Sequence, residues 1–270
     1  MSSEHVDLRV EDGVATITLQ RPEADNAFSH AMGVGLSAAY RRCDEDDAIR
    51  VAVLTGTGRA FCVGADLGAG AATFERQESA DFSAAGVDPP AFAVRKPVIA
   101  ALNGHAVGLG FTLALQCDIR IAARDAKYGV LQVRRGVMPD AYAHFTLPRI
   151  AGFATAADLL LTGRKIDGDE AVALGLASCA LPADEVLPAA LTIARDIATN
   201  TAPLSVAVTK KLLWESGGLS PAEIERRETA LHHHLMGRAD AIEGVQAYLE
   251  RRPPEWKLSV TKDWPKDWPE

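Results

Sequence analysis

The sequence predicts an α/β fold, with a mainly parallel sheet in residues 1–200 and a helical region in 201–270. Three observations predict it. Short aliphatic, β-branched runs at Val51 to Thr55, Val98 to Leu102 and Ile119 to Ala122 alternate with stretches of helical spacing, the order that βα units impose. Near two of these runs stand glycine-punctuated turns, Ala60-Phe61-Cys62-Val63-Gly64-Ala65-Asp66-Leu67 and Asn103-Gly104-His105-Ala106-Val107-Gly108-Leu109-Gly110. The second half of the chain then reads as helix after helix.

Taken in order, His5 to Val10 and Val14 to Leu19 alternate apolar and polar residues around Glu11-Asp12-Gly13, which predicts a hairpin. After a loop from Arg21 to Ala27, Ser29 is placed to cap a helix carrying Met32, Leu36, Ala39 and Tyr40, which closes at Asp44 to Asp47. Gly68 to Pro90 is rich in Ala, Gly and Ser without a sustained period, and reads as a loop or irregular helix beside the site. The spacing predicts a helix over Phe111 to Gln116 and a short strand near Lys127 to Val130. Further helices are predicted over Phe153 to Leu161, Asp167 to Leu174, Asp184 to Thr199, Pro203 to Glu215 and Pro221 to Met236, several opening with Asp or Pro. The tail from Pro253 repeats Lys-Asp-Trp-Pro at 262–265 and 266–269, too proline-rich for a helix or central strand; its tryptophans are expected to pack on another surface, such as a neighbouring subunit.

Composition narrows the function classes. With 270 residues and 48% hydrophobic content the chain can bury one substantial core and a smaller appendage. A formal charge of −8 supplies no basic stripe for a phosphate backbone, so nucleic acid is not an expected partner. Cys43, Cys62, Cys117 and Cys179 sit far apart in aliphatic surroundings without paired spacing, which reads as reduced core thiols with no metal site. No apolar run approaches the roughly 20 residues that span a bilayer, so neither a membrane nor a signal segment is expected and the location reads as cytoplasmic. Gly104, Gly108 and Gly110 fit neither GxGxxG nor GxxxxGK[ST], which sets nucleotide binding aside.

The two glycine-punctuated turns offer backbone amides of the kind that stabilise a carbonyl oxygen gaining negative charge. Together with Arg21-Pro22, Asn26-Ala27, Lys96-Pro97-Val98-Ile99-Ala100-Ala101, Cys117-Asp118, Leu161-Thr162-Gly163, Ala171 to Leu176 and Glu243-Gly244, they make the chain resemble the crotonase superfamily, the enoyl-CoA hydratase/isomerase family, nearly end to end. The resemblance implies a spiral of repeated ββα units, a C-terminal helical region that builds homotrimers, commonly paired into homohexamers, and acyl-CoA thioester substrates. Coenzyme A then arrives as part of the substrate, with no separate cofactor. Carried over position by position, the two oxyanion-hole amides fall on Ala65 and Leu109. Ala24, Asp66, Leu67 and Gly108 fall along the CoA path.

The chain departs from the family at both positions where resembling hydratases carry glutamates: Thr112 and Gln132 stand there. Neither exchanges a proton near neutral pH as a carboxylate does. Thr112 can position water and Gln132 can bind a polar group, and both can equally fill helix or pocket. The best replacement carboxylate is Asp140, which reads either as the acid/base or as a cap for the following helix. His144, four residues on, is placed to share a helical face with it. His105 reads as structural and His232-His233-His234 as a solvated face. Arg134-Arg135, Arg164-Lys165 and Lys210-Lys211 are basic pairs that either approach CoA phosphates or serve as ordinary surface charge. Tyr248 and Arg251 match a region that in the family can touch the CoA of an adjacent subunit.

The leading expectation is an enzyme that stabilises a thioester enolate, with isomerisation or an atypical hydration favoured over two-glutamate hydration. The alternatives are a non-catalytic acyl-CoA binder and a different crotonase-type reaction, as in hydrolases, lyases or dehalogenases.

Overall fold

The computed structural model describes residues 2–68, 70–74 and 83–269. A seven-stranded sheet has the order β1 (Ser2–Ser3), β2 (Val6–Glu11), β3 (Val14–Leu19), β4 (Val51–Gly56), β6 (Val98–Leu102), β8 (Ile119–Ala123) and β10 (Cys179–Leu181). The first three strands pair antiparallel and the others join in parallel. Val53 pairs Ile99 and Ile99 pairs Ile119, an all-aliphatic row, with β6 buried throughout and β4 buried from Val51 to Thr55, as parallel strands covered on both faces require.

A second sheet of three short parallel strands, β5 (Ala60–Cys62), β7 (His105–Val107) and β9 (Tyr128–Gly129), lies inside segments that read from sequence mainly as turns. The chain therefore alternates between sheets: β4 to β5, β6 to β7, β8 to β9. Strand β9 falls within the short strand expected near Lys127 to Val130, whereas β5 and β7, three residues each with glycines beside them, give too little alternation to register from sequence.

Helix α1 (His30–Glu45) begins where Ser29 accepts from Met32 N at 3.2 Å. Helix α2 is Leu109–Ala114, two residues earlier at each end than its spacing suggests. Helix α3 (Ala143–Thr162) is broken at Gly152, whose φ of 77° and ψ of 166° are not helical. Helix α4 (Gly168–Ala173) is capped by Asp167, and α5 (Ala183–Asn200) lies across β4, β6 and β8. Helices α6 (Pro203–Glu215), α7 (Pro221–Leu235) and α8 (Ala239–Glu250) complete the chain.

The main core spans the large sheet, α1 and α5; Leu204, Val208, Leu212 and Leu231 form a separate cluster, with Trp264 and Trp268 packed on it. The tail tryptophans thus pack on another surface, as expected, and that surface belongs to their own chain. Trp264 and Trp268 stack on each other at 5.4 Å, Arg95 lies over Trp264, and Trp268 Nε1 donates to Glu215 at 2.8 Å. The tail folds back on its own chain because those indoles find a cation, a carboxylate and an apolar cluster there.

Candidate functional site

The loop after the hairpin is held by Asn26, fully buried. Its Oδ1 accepts from Arg21 N at 2.7 Å, and its Nδ2 donates to Thr57 O at 2.9 Å and Ala60 O at 2.8 Å. The loop thereby fixes Phe28, whose N donates to Gly64 O at 2.7 Å while its O accepts from Asp66 N at 3.3 Å. That bridge leaves the Ala65 amide facing away from Phe28. Ala24 closes the 3-10 turn Pro22–Ala24, and Arg21 Nη1 pairs with Asp66 Oδ2 at 2.6 Å. Asp66 also accepts from Gly68 N at 2.8 Å; that bond first, and Arg21 second, hold its carboxyl below the usual carboxylate range. Leu67 is exposed beside it. Sequence reasoning did not find the Arg21–Asp66 pair, since nothing in the spacing joins positions 45 residues apart.

The two glycine-bearing turns abut. At Gly64, with φ of 88°, an added Cβ would stand 2.8 Å from Val107 O and 3.5 Å from Leu109 N. At Gly110 an added Cβ would overlap the Cys62 carbonyl, so only glycine lets α2 start against β5. Leu109 is the first residue of α2, where a backbone amide has no intrahelical acceptor. Among the described residues, neither Ala65 N–H nor Leu109 N–H donates to an internal group. The Leu109 side chain meets Gly86, and Ala141 N donates to Ala84 O at 2.8 Å, so the far end of the 68–90 segment closes on this place. Residues 69 and 75–82 of that segment lie outside the described residues.

Thr112, Gln132 and Asp140 come together here. Thr112 is fully buried and its hydroxyl donates to Leu109 O at 3.0 Å. Gln132 opens a 3-10 turn (Gln132–Arg135) that ends at Gly136 in the left-handed region. Its Nε2 donates to Asp140 Oδ1 at 2.8 Å. Gly108 lies beneath the amide: an added Cβ there would be 4.0 Å from Gln132 Cδ and Oε1 and 3.7 Å from Gly64 Cα. Burial raises the Asp140 pKa, against the opposing hydrogen bonding of Gln132 and Thr112. Tyr142, two residues on, turns to an aromatic cluster, edge-on to Phe92 at 5.1 Å, and Phe92 in turn meets Phe145 and Trp214.

Two expectations for this segment are corrected. The N-cap of α3 is Tyr142, not Asp140, whose side chain turns to Gln132 and whose carbonyl accepts from Ala143 N. Ala141 and Tyr142 both have positive φ, 46° and 63°, and this left-handed pair ends the helical spacing that put His144 and Asp140 on one face. His144 is exposed on α3.

The basic pairs are also placed. Lys210 is 5% exposed and donates to Ala91 O and Lys96 O at 2.9 Å, with Asp118 Oδ2 at 2.8 Å. Arg164 bridges Asp158 and Glu170, and Lys211 pairs with Glu215. His105 Nδ1 accepts from Lys127 N at 3.0 Å, joining β7 to β9. His234 meets the carbonyl of Asp263, and the described residues hold no group of side chains arranged for a metal. No described helix is long and apolar enough to cross a membrane.

Comparison with known proteins agrees with this architecture. Residues 9–259 match the family model described as enoyl-CoA hydratase/isomerase. The crystal structure of a probable enoyl-CoA hydratase/isomerase from Mycobacterium abscessus is 53% identical, with a TM-score of 0.91 over 95% of this chain and 99% of that one. A carnitinyl-CoA dehydratase of Proteus mirabilis is 37% identical over 94% of this chain and 99% of its own. An enoyl-CoA hydratase of Alternaria alternata is 37% identical over 91% of this chain and 83% of its own. With the two-sheet α/β architecture and these matches along nearly its whole length, the chain belongs to the enoyl-CoA hydratase/isomerase family, the crotonase superfamily.

Proposed function

We propose that the protein is an acyl-CoA enzyme that holds a thioester oxygen between the amides of Ala65 and Leu109 while Asp140 moves a proton. The observation that carries the reading is the half-buried Asp140 carboxylate, fixed by Gln132 and raised in pKa by burial, next to an amide without an internal acceptor. Asp140 Oδ2 takes the proton on the carbon beside the thioester. The electron pair moves onto the thioester oxygen, and the two amides stabilise that charge. The proton then returns from Asp140, either to a different carbon, which shifts the double bond, or to an oxygen that departs as water. Thr112 and Gln132 supply no second proton, which favours these routes over two-carboxylate hydration.

Ala24, Asp66, Leu67 and Gly108 line the path of the CoA moiety, which enters as part of the substrate. Residues 1–200 carry the site, and 201–270 serve assembly into a homotrimer or a pair of trimers. Exposed Ile242, Val245, Tyr248 and Leu249 on α8 support that assembly, being an apolar stripe at helical spacing. Three buried thiols, Cys43, Cys62 and Cys117, with pKa values pushed up to about 12 by burial, suit a reducing, cytoplasmic location.

The test is incubation with a mixed acyl-CoA panel in heavy water followed by mass spectrometry. Deuterium uptake beside the thioester by wild type, lost in Asp140→Asn with CoA-thioester binding retained, is the expected result. Binding without uptake in either protein would mark an acyl-CoA binder instead.

A further inference from the structure

The Ala65 N–H shares one peptide plane with the carbonyl of Gly64, and in a trans peptide the two point in opposite directions. Whatever grips Gly64 O therefore aims the Ala65 amide. The grip is Phe28 N at 2.7 Å, while the return bond from Asp66 N to Phe28 O is longer, 3.3 Å. This Phe28–Ala65 contact is an isolated bridge outside the named strands, so no flanking ladder steadies it. One nitrogen spans the bridge instead. Arg21 Nη1 donates to Ala27 O at 3.2 Å on one side and meets Asp66 Oδ2 at 2.6 Å on the other. Ala27 directly precedes Phe28 and Asp66 directly follows Ala65, so both acceptors flank the bridge. The two protons on a guanidinium nitrogen suffice for both bonds. Arg21 is itself set by the buried Asn26, whose Oδ1 accepts from Arg21 N at 2.7 Å. The side chains of Arg21 and Asp66 are 22% and 37% exposed, and a pair that wet adds little to overall folding.

We infer that Arg21 is a positioning residue for the reaction: it clamps the Phe28–Ala65 bridge through Ala27 O and the Asp66 carboxylate, and so holds the aim of the Ala65 amide without touching the substrate. The inference rests on the acyl-CoA reading above and adds to it the part that keeps one oxyanion donor in line. A donor tilted out of line still admits the thioester, but its hydrogen bond weakens steeply with angle. The loss then falls on the charged intermediate more than on the neutral ground state, and shows in turnover before it shows in binding.

The experiment compares full-length wild type, Arg21→Met and Arg21→Lys by two readouts. One is the rate of deuterium uptake by the thioester that exchanges fastest in the acyl-CoA panel; the other is the infrared carbonyl band of bound butyryl-CoA labelled with carbon-13 at the thioester carbon. In Arg21→Met the maximal rate is expected to fall about 10- to 100-fold with KM within about twofold of wild type. The bound carbonyl band is expected to move back toward its position in the free thioester. Arg21→Lys, whose ammonium can also serve two acceptors, is expected to recover part of both losses. A KM that rises at an unchanged maximal rate overturns the inference and makes Arg21 a contact to CoA. A carbonyl band identical in wild type and Arg21→Met overturns it as well. If Arg21→Met does not fold, Asp66→Asn, which keeps an acceptor for Gly68 N and loses the ion pair, carries the same comparison of rate and band. The two readings fail separately. A wild-type band shift that Arg21→Met loses, without deuterium uptake in either, sinks the proton transfer only, and uptake by wild type with a band unmoved by the substitution sinks this inference only.

Discussion

Gln132 Nε2 and Asp140 Oδ1 are joined at 2.8 Å, which ties the sole carboxylate of the three-residue cluster to the residue standing where a second one is expected. The bond fixes the orientation of both side chains at the place where the proton is to be moved.

Replacing Asp140 by Asn keeps the shape and the acceptor for Gln132 but removes proton transfer. Turnover should fall by about 10² to 10⁴ with thioester affinity retained. In wild type the basic form of Asp140 grows as pH rises through a pKa lying above the ordinary 3.8, so the rate of proton abstraction should climb and level off with a midpoint above that value. A pH profile of deuterium uptake measures it.

The same shift has a stability consequence of opposite sense. A carboxyl whose folded pKa is raised binds its proton more tightly in the folded state, so it costs nothing below the unfolded value and destabilises progressively as pH rises through the folded one. Asp140→Asn should therefore melt above wild type at neutral pH, the difference closing at acidic pH. Melting curves across that range check it.

The Leu109 amide can be removed by proline, which also replaces a half-buried side chain at the edge of the core. Proline is accommodated at the first position of a helix, and Gly108, at ψ of −130°, lies outside the α region that a following proline disfavours. Leu109→Pro should fold and lose at least about 10² to 10³ in turnover, the usual effect of losing one oxyanion donor. Circular dichroism with steady-state kinetics distinguishes this from unfolding.

Lys210 should prove structural. Its ammonium joins the carbonyls of Ala91 and Lys96 to Asp118, which itself accepts from Val98 N and Trp214 Nε1. Lys210→Met leaves the Asp118 charge without its cation and should cost about 3 to 5 kcal/mol in denaturant unfolding.

If α8 builds the assembly, Val245→Glu together with Tyr248→Glu should lower the mass measured by light scattering from a multiple of three chains to one. The substitutions place two charges in a stripe that is exposed on the single chain and that the proposed assembly would bury.

What the sequence determined by itself were the features set by local physics. The hairpin, the cap at Ser29, the strand Val98–Leu102, the helix Pro203–Glu215 and the α/β class followed from alternation, capping and proline placement over a few residues. The ordered motifs were enough to place the chain in its family. The tertiary structure alone decided what depends on distant contacts. It turned two glycine-bearing segments into strands of a second sheet, because β5, β7 and β9 are each too short to be stable without one another. It aimed Asp140 at Gln132 instead of capping α3, because two left-handed residues separate it from that helix. It folded the tryptophan tail onto its own α6 and gave Lys210 a buried role, since pairings across tens of residues leave no periodic trace in the chain that makes them.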